Sequence, residues 1–187
     1  MTAVPEWMIG GLTGAEYDAL PEDICRQIEI IDGSVVVNPR PLRPHQRVVR
    51  KLANVLESVC GPDLAVDTEV DLWLRDIPLL LRSPDVVVYD AALPHSARLR
   101  PEHCILVVEV MSPGSVTADQ TDKPAEYARA GIEHFWRVEN CADAGKLTVY
   151  RFRLDQTTRT YASLGASTGK LVATDPLEVS IALAELL

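Results

Sequence analysis

A glutamate stands inside an otherwise apolar run, Ile105-Leu106-Val107-Val108-Glu109-Val110-Met111, and it constrains the fold more than any other feature of the chain. The aliphatic and β-branched content predicts a central strand. A lone carboxylate there costs several kcal/mol of desolvation unless a cation or a metal ion meets it. Period-two alternation puts Glu109 on one face with Val107 and Met111, so the element covering that face must supply a counter-charge. Asp85, opening a second apolar strand in SPDVVVYD, poses the same problem. Two such carboxylates on neighbouring strands repel when both are ionised, which a divalent cation relieves. A structural salt bridge to an arginine is the plainer alternative.

The flanking sequence gives those strands their setting. Thr13-Gly14-Ala15-Glu16 has capping-box spacing and predicts a short helix ending at Pro21. Ile28–Ile31 and Ser34–Val37 flank Asp32-Gly33, a pair suited to the positive φ angles of a tight hairpin. The proline-punctuated stretch Asn38 to Pro44 reads as a loop. Val48, Val49, Leu52, Val55, Leu56 and Val59 then recur at helical spacing. At about 100° per residue these apolar positions share one face, with His45 over it and Arg43, Arg47, Arg50 and Lys51 nearly opposite. Strands are expected at Leu64 to Leu74, Asp85 to Tyr89, Ile105 to Met111, His134 to Val138, Lys146 to Phe152 and Arg159 to Ser163. A helix is expected from about Lys123 to Ala130, with Pro124 tolerated in its first turn and Gly131 as its left-handed stop. Phe135 and Trp136 read as core. The order suits one mixed sheet flanked by helices, in a single domain of residues 1–187 with a core over about 24–165.

Composition bounds the partners. The 187 residues are 47% hydrophobic and 24% charged, which is globular, and no apolar run is long enough for a membrane span, so a cytoplasmic protein is expected. The four cysteines, Cys25, Cys60, Cys104 and Cys141, form no C-x-x-C pair and read as reduced thiols. A formal charge of −9 opposes bulk attraction to nucleic acid, but Arg40 to Lys51 carries five basic residues and no acid. His95, Arg98, Arg100 and His103 form a smaller basic loop that reads as exposed. Ser112 and Ser115 either donate to a phosphate or cap the turn at Pro113-Gly114.

Downstream of Glu109, Asp119-x-x-x-Lys123 offers an ammonium at a helix start, with Tyr127 one turn on along the same face. A cation beside two metal-binding carboxylates suits phosphodiester hydrolysis, in which the metal activates water and the lysine positions or polarises the nucleophile.

The runs SPDVVVYD, ILVVEVMSPGS and DQTDKPAEYARAGIEHFWRVE, with IEIIDGSVVV, RPHQRVVRKL and TGAEYDAL upstream, together resemble the PD-(D/E)XK nuclease superfamily and, within it, the Uma-type putative restriction endonuclease family of bacteria. The resemblance implies a restriction-endonuclease-like α/β core, a central mixed sheet with flanking helices, an N-terminal helix and hairpin, and Mg²⁺-dependent cleavage of DNA, with Mn²⁺ as a substitute. It implies that Asp85 and Glu109 are metal ligands with the backbone carbonyl of Val110 a third. The lysine expected two residues after the acid is Met111 here, and Lys123 stands in its place as the catalytic lysine. Glu29 matches as an extra ligand or metal-water contact, and His45 as a phosphate or supporting group.

Three functions follow. One is a Mg²⁺-dependent endonuclease with the Arg43–Lys51 face on DNA phosphates, expected to be a homodimer so that each site serves one strand. The others are a nuclease-fold binding or assembly protein that cuts nothing, and a metal-dependent phosphodiesterase acting on RNA or nucleotides.

Overall fold

The computed structural model describes residues 11–37, 41–111, 118–141 and 146–187. In chain order it holds helices α1 (Gly14–Asp18) and α2 (Glu22–Cys25), strands β1 (Ile28–Ile31) and β2 (Ser34–Val37), and helix α3 (Arg43–Val59). Strands β3 (Leu64–Asp67), β4 (Leu72–Arg75), β5 (Leu80–Arg82), β6 (Val86–Asp90) and β7 (Cys104–Val110) follow, then helix α4 (Lys123–Ala130). The chain closes with β8 (His134–Cys141), β9 (Lys146–Asp155), β10 (Thr160–Thr168), β11 (Lys170–Ala173), β12 (Val179–Ala182) and a 3₁₀ turn over Leu183–Leu186.

A six-stranded mixed sheet of order β10-β9-β8-β7-β6-β3 forms the centre. Only β7 and β8 run parallel among its neighbours. Parallel neighbours need a crossover, and α4 supplies it, which obliges this helix to cover one face of β7. The alternation read from the sequence decides which side chains it meets. Val107 and Val87 pack with Tyr127 and Phe135 on the α4 side, whereas Leu106, Val108 and Val110 face α3 through Val48, Val49, Leu52 and Leu56. The β11–β12 hairpin joins this second cluster through Leu171 and Val179. A four-stranded antiparallel sheet, β2-β1-β5-β4, carries a third cluster around Ile30, Trp73 and Leu81.

Local chemistry accounts for most boundaries. The Thr13–Glu16 capping box is formed in both directions, and Asp32 and Gly33 take φ of 51° and 80° between strands paired Ile31↔Ser34. Gly131 caps α4 at φ 95°. Two expectations need correction. Helix α3 starts at Arg43 rather than after Pro44, since proline costs nothing in a first turn. Leu64 to Leu74 is two strands, broken where Glu69 takes a positive φ of 53°, and its halves join different sheets. Leu80–Arg82, to which the sequence reading assigned no element, forms a strand between β1 and β4. Among the described residues no helix is long and apolar enough to cross a membrane.

Candidate active site

The antiparallel pair β6–β7, in register Val86↔Val108, brings the residue before β6 beside the end of β7. Asp85 Oδ2 therefore accepts the amide of Val110 at 2.6 Å, and His45 Nε2 lies 3.2 Å from the same oxygen. Asp85 keeps 15% of its side chain exposed, so one end of the pair opens to solvent. His45 comes from the first turn of α3 and is buried, as its place over the apolar face predicts. Burial is the strongest influence on its imidazole and opposes charge. The hydrogen bond and charge of Asp85, a backbone hydrogen bond with Val110 and the charge of Glu69 together outweigh it and leave its pKa raised.

Glu109 is 1% exposed and meets the counter-charge its strand demands. Lys123 Nζ donates to its Oε2 at 3.0 Å and Tyr127 Oη to its Oε1 at 2.6 Å. These donors stand four residues apart on α4 and so share one face of the crossover helix. Burial, and then the negative charge of Glu109, hold the Tyr127 phenol protonated far above its ordinary range, which keeps it a donor.

Behind this pair lies a second carboxylate. Glu29 on β1 is buried, 3.6 Å from Lys123 Nζ, and accepts the Ser83 amide at 3.1 Å. Burial pushes its pKa up, but the charges of Lys123 and Arg82 and the hydrogen bonds of Ser83 and Arg82 outweigh that and hold it below the usual range. Arg82 on β5 donates to Glu29 at 2.9 Å and in fork geometry to Glu126 at 2.7 and 2.8 Å. Glu29, Glu109 and Glu126 thus face two cations, Arg82 and Lys123, among the described residues, and Asp85 adds a further negative charge at the rim. Arg82 and Glu126 were missed by sequence reasoning; a buried arginine in PLLLRSPD was the available signal.

The donor set suits a hard divalent cation. Asp85, Glu109 and the Val110 carbonyl would offer oxygen donors, the type a hard divalent cation takes. No three acidic, histidine or cysteine side chains among the described residues converge closely enough to hold an ion alone.

The remaining candidates divide. Arg43, Arg47 and Arg50 are exposed on α3, and the buried face of that helix packs against the side of the sheet opposite Glu109. Lys51 instead donates to the carbonyls of Glu185, at 2.7 Å, and Leu187. Arg98 pairs with Asp18 and lies over the Trp73 ring, and Arg100 forks onto Asp76. His95 is exposed, and His103 is half-buried, accepting the Arg100 amide. Phe135 and Trp136 are core. Cys25, Cys60 and Cys104 are free thiols. Arg40, Ser112 and Ser115 lie outside the described residues.

Comparison with known proteins agrees with this architecture. No curated protein is significantly similar to the chain. A crystal structure of a putative nuclease belonging to DUF820, from Anabaena variabilis ATCC 29413, superposes with a TM-score of 0.65 at 18% identity, covering 94% of this chain and 97% of that one. At that identity the likeness speaks for the fold, which is the mixed sheet with flanking helices described above. The sequence itself matches the family described as Uma2, putative restriction endonuclease, over residues 15–184, a span that includes Asp85, Glu109 and Lys123. The chain therefore belongs to the Uma2 family of putative restriction endonucleases.

Proposed function

We propose that the protein is a divalent-metal-dependent endonuclease that hydrolyses phosphodiester bonds of DNA at the Asp85–Glu109 site. The observation that carries the reading is a buried Glu109 held between Lys123 Nζ and Tyr127 Oη, beside a rim carboxylate, Asp85, fixed by the Val110 amide. Family membership supports the same chemistry. Asp85, Glu109 and the Val110 carbonyl are the residues that would hold Mg²⁺, which when bound supplies an activated water and neutralises developing charge.

The chain's own groups divide the remaining work. Tyr127 keeps its proton and fixes the Glu109 carboxylate in one orientation. Lys123 keeps its ammonium proton at Nζ, where a positive charge favours the dianionic transition state of phosphodiester attack. Glu29, itself held by Arg82, anchors Lys123 from behind, and His45 orients Asp85.

Incubation of the wild type with supercoiled plasmid and Mg²⁺ or Mn²⁺ tests this. Nicking is expected in the wild type and lost in Asp85→Asn and in Glu109→Gln, with both variants retaining their circular dichroism. An intact plasmid with every ion, or equal nicking by folded Glu109→Gln, would show the assignment to be wrong and favour a nuclease fold that binds without cutting.

A further inference from the structure

A cavity of about 270 Å³ opens between α4 and strands β8, β9 and β10 of the central sheet. Three arginines line it: Arg129 on α4, Arg137 on β8 and Arg159 in the β9–β10 turn. Arg137 is the register partner of Glu109 across the parallel β7–β8 pair. Partners on adjacent strands share a face and lie about 5 Å apart at the backbone, so the cavity's inner arginine is one strand away from the candidate catalytic carboxylate.

The floor is aromatic. Phe135 is buried and stacks on Phe152, with centroids 5.7 Å apart, and on Tyr161, at 5.4 Å. Phe152 and Tyr161 are themselves half-buried and both line the cavity. The Arg137 guanidinium lies over the Tyr150 ring at 4.8 Å and pairs with Glu139 at 3.0 Å, while its Nε is buried with no hydrogen-bond partner. Arg159, in the left-handed region at φ 54°, lays Nη1 against Gly131, where a Cβ would stand 3.0 Å away. Neither Arg129 nor Arg159 forms an ion pair among the described residues. In a chain of net charge −9, three arginines around one cavity with a single carboxylate partner among the described residues are a local reversal of sign.

Guanidinium forks match phosphate oxygens and aromatic faces stack bases, and the two together are the recognition chemistry of a nucleic-acid strand. The volume falls just under the roughly 300–1,000 Å³ typical of drug-sized ligands, which is room for one nucleotide rather than a dinucleotide. We propose that this cavity is a nucleotide subsite: Arg129, Arg137 and Arg159 line the path of the backbone phosphates next to the scissile bond of a polynucleotide strand, and the Phe152–Tyr161 ledge stacks a base. The position of the scissile bond rests on the nuclease reading of Glu109, whereas the binding itself needs no metal.

Fluorescence anisotropy of a labelled single-stranded oligonucleotide, in EDTA so that nothing is cleaved, tests it. The double variant Arg129→Gln/Arg159→Gln changes exposed positions only. It is expected to bind about tenfold or more weakly, with the slope of log K against log salt reduced by about 1.4. Ala125→Phe fills the cavity without altering charge and is expected to weaken binding at an unchanged salt slope. Arg47→Gln/Arg50→Gln, on the outer face of α3, is expected to lose less affinity than the Arg129/Arg159 variant, and a 5′-mononucleotide should compete far more weakly than the unlabelled strand. If the wild type binds but the Arg129/Arg159 and Ala125 variants bind equally well, or only the α3 variant loses affinity, the subsite is wrong while the nuclease reading stands. Equal competition by the mononucleotide would overturn a strand subsite. A wild type that binds no oligonucleotide overturns the subsite, while plasmid nicking with Mg²⁺ or Mn²⁺ still decides the nuclease reading.

Discussion

Arg82 Nη1 donates to Glu29 Oε2 at 2.9 Å with only 3% of either side chain exposed, and the other edge of the same guanidinium forks onto Glu126 of α4. One arginine thereby ties the four-stranded sheet to the helix that carries Lys123 and Tyr127. Burial opposes its charge, but its two carboxylate partners outweigh that and raise its pKa further. Removing the cation leaves two carboxylates facing each other out of water. Arg82→Met is expected to cost about 3–5 kcal/mol, the range for breaking a buried pair from one side. Urea unfolding measures it, and a loss below about 1 kcal/mol would mean that the network contributes little to holding the helix.

Tyr127→Phe removes a single hydroxyl from a fully buried ring and withdraws the 2.6 Å donor from Glu109. The predicted cost is about 1–3 kcal/mol, because a buried carboxylate oxygen loses a partner and gains no water. Plasmid nicking should fall as well, since the Glu109 carboxylate loses one of the donors that orient it. Unchanged stability and unchanged nicking together would mean that the phenol only packs.

Gly131 ends α4 in the left-handed region, and a side chain there would also press on Arg159 Nη1. Gly131→Ala is expected to lose about 1–2 kcal/mol through the backbone alone. Arg159 can yield, being the end of a flexible side chain, so the same variant should bind an oligonucleotide more weakly without losing its fold. A stability equal to wild type would show that the turn rearranges at no cost.

His134, at the start of β8, is 3% exposed, with Nε2 3.6 Å from Asp175 and 3.8 Å from Glu133. Burial disfavours its imidazolium more than those half-exposed acids favour it, so its pKa is lowered. The folded chain takes up this proton less readily than the unfolded chain. The contribution to stability is therefore complete above the ordinary value near 6.5 and is lost as pH falls through the lowered folded value. Urea midpoints between about pH 7.5 and pH 5 should drop more steeply for the wild type than for His134→Gln. Parallel curves would remove this histidine from the acid response.

The sequence signals that survived folding were those with a local cause. Asp32-Gly33 needed positive φ wherever the hairpin went, Gly131 could stop α4 without help from its neighbours, and Glu109 demanded a cation whatever surrounded it. Lys123 and Tyr127 were legible because a helix spaces them by one turn. Arg82 was not, since a three-residue strand without alternation carries no period to read and its two carboxylate partners lie 44 and 53 residues away. Leu64 to Leu74 looked continuous because nothing local marked Glu69 as the residue that would turn left-handed. Arg137 sat within an apolar stretch, and its position beside Glu109 is a fact of strand register that no local pattern encodes. The arginines of α3 were conspicuous in sequence because they share one helix face; the apolar face of the same helix packs on the side of the sheet opposite Glu109, while His45 in its first turn reaches Asp85.

The metal prediction can be separated from catalysis. An ion that binds the folded chain and not the unfolded one raises stability by RT ln(1 + [L]/Kd), about 2.7 kcal/mol at a hundredfold excess over Kd. With Asp85, Glu109 and the Val110 carbonyl as ligands, the melting temperature of the wild type is expected to rise with Mg²⁺ and with Mn²⁺. Asp85→Asn removes a charged ligand at the solvent-facing rim and keeps an acceptor for the Val110 amide, so its fold should persist while its response to either ion disappears. Lys123→Met serves as the opposite control: it deletes a cation next to Glu109, and the response to Mg²⁺ should persist or grow because repulsion at the site falls. A wild type indifferent to both ions, or an Asp85→Asn variant stabilised as much as the wild type, would detach these carboxylates from metal binding. The buried Glu109–Lys123 pair would then be a structural ion pair and nothing more.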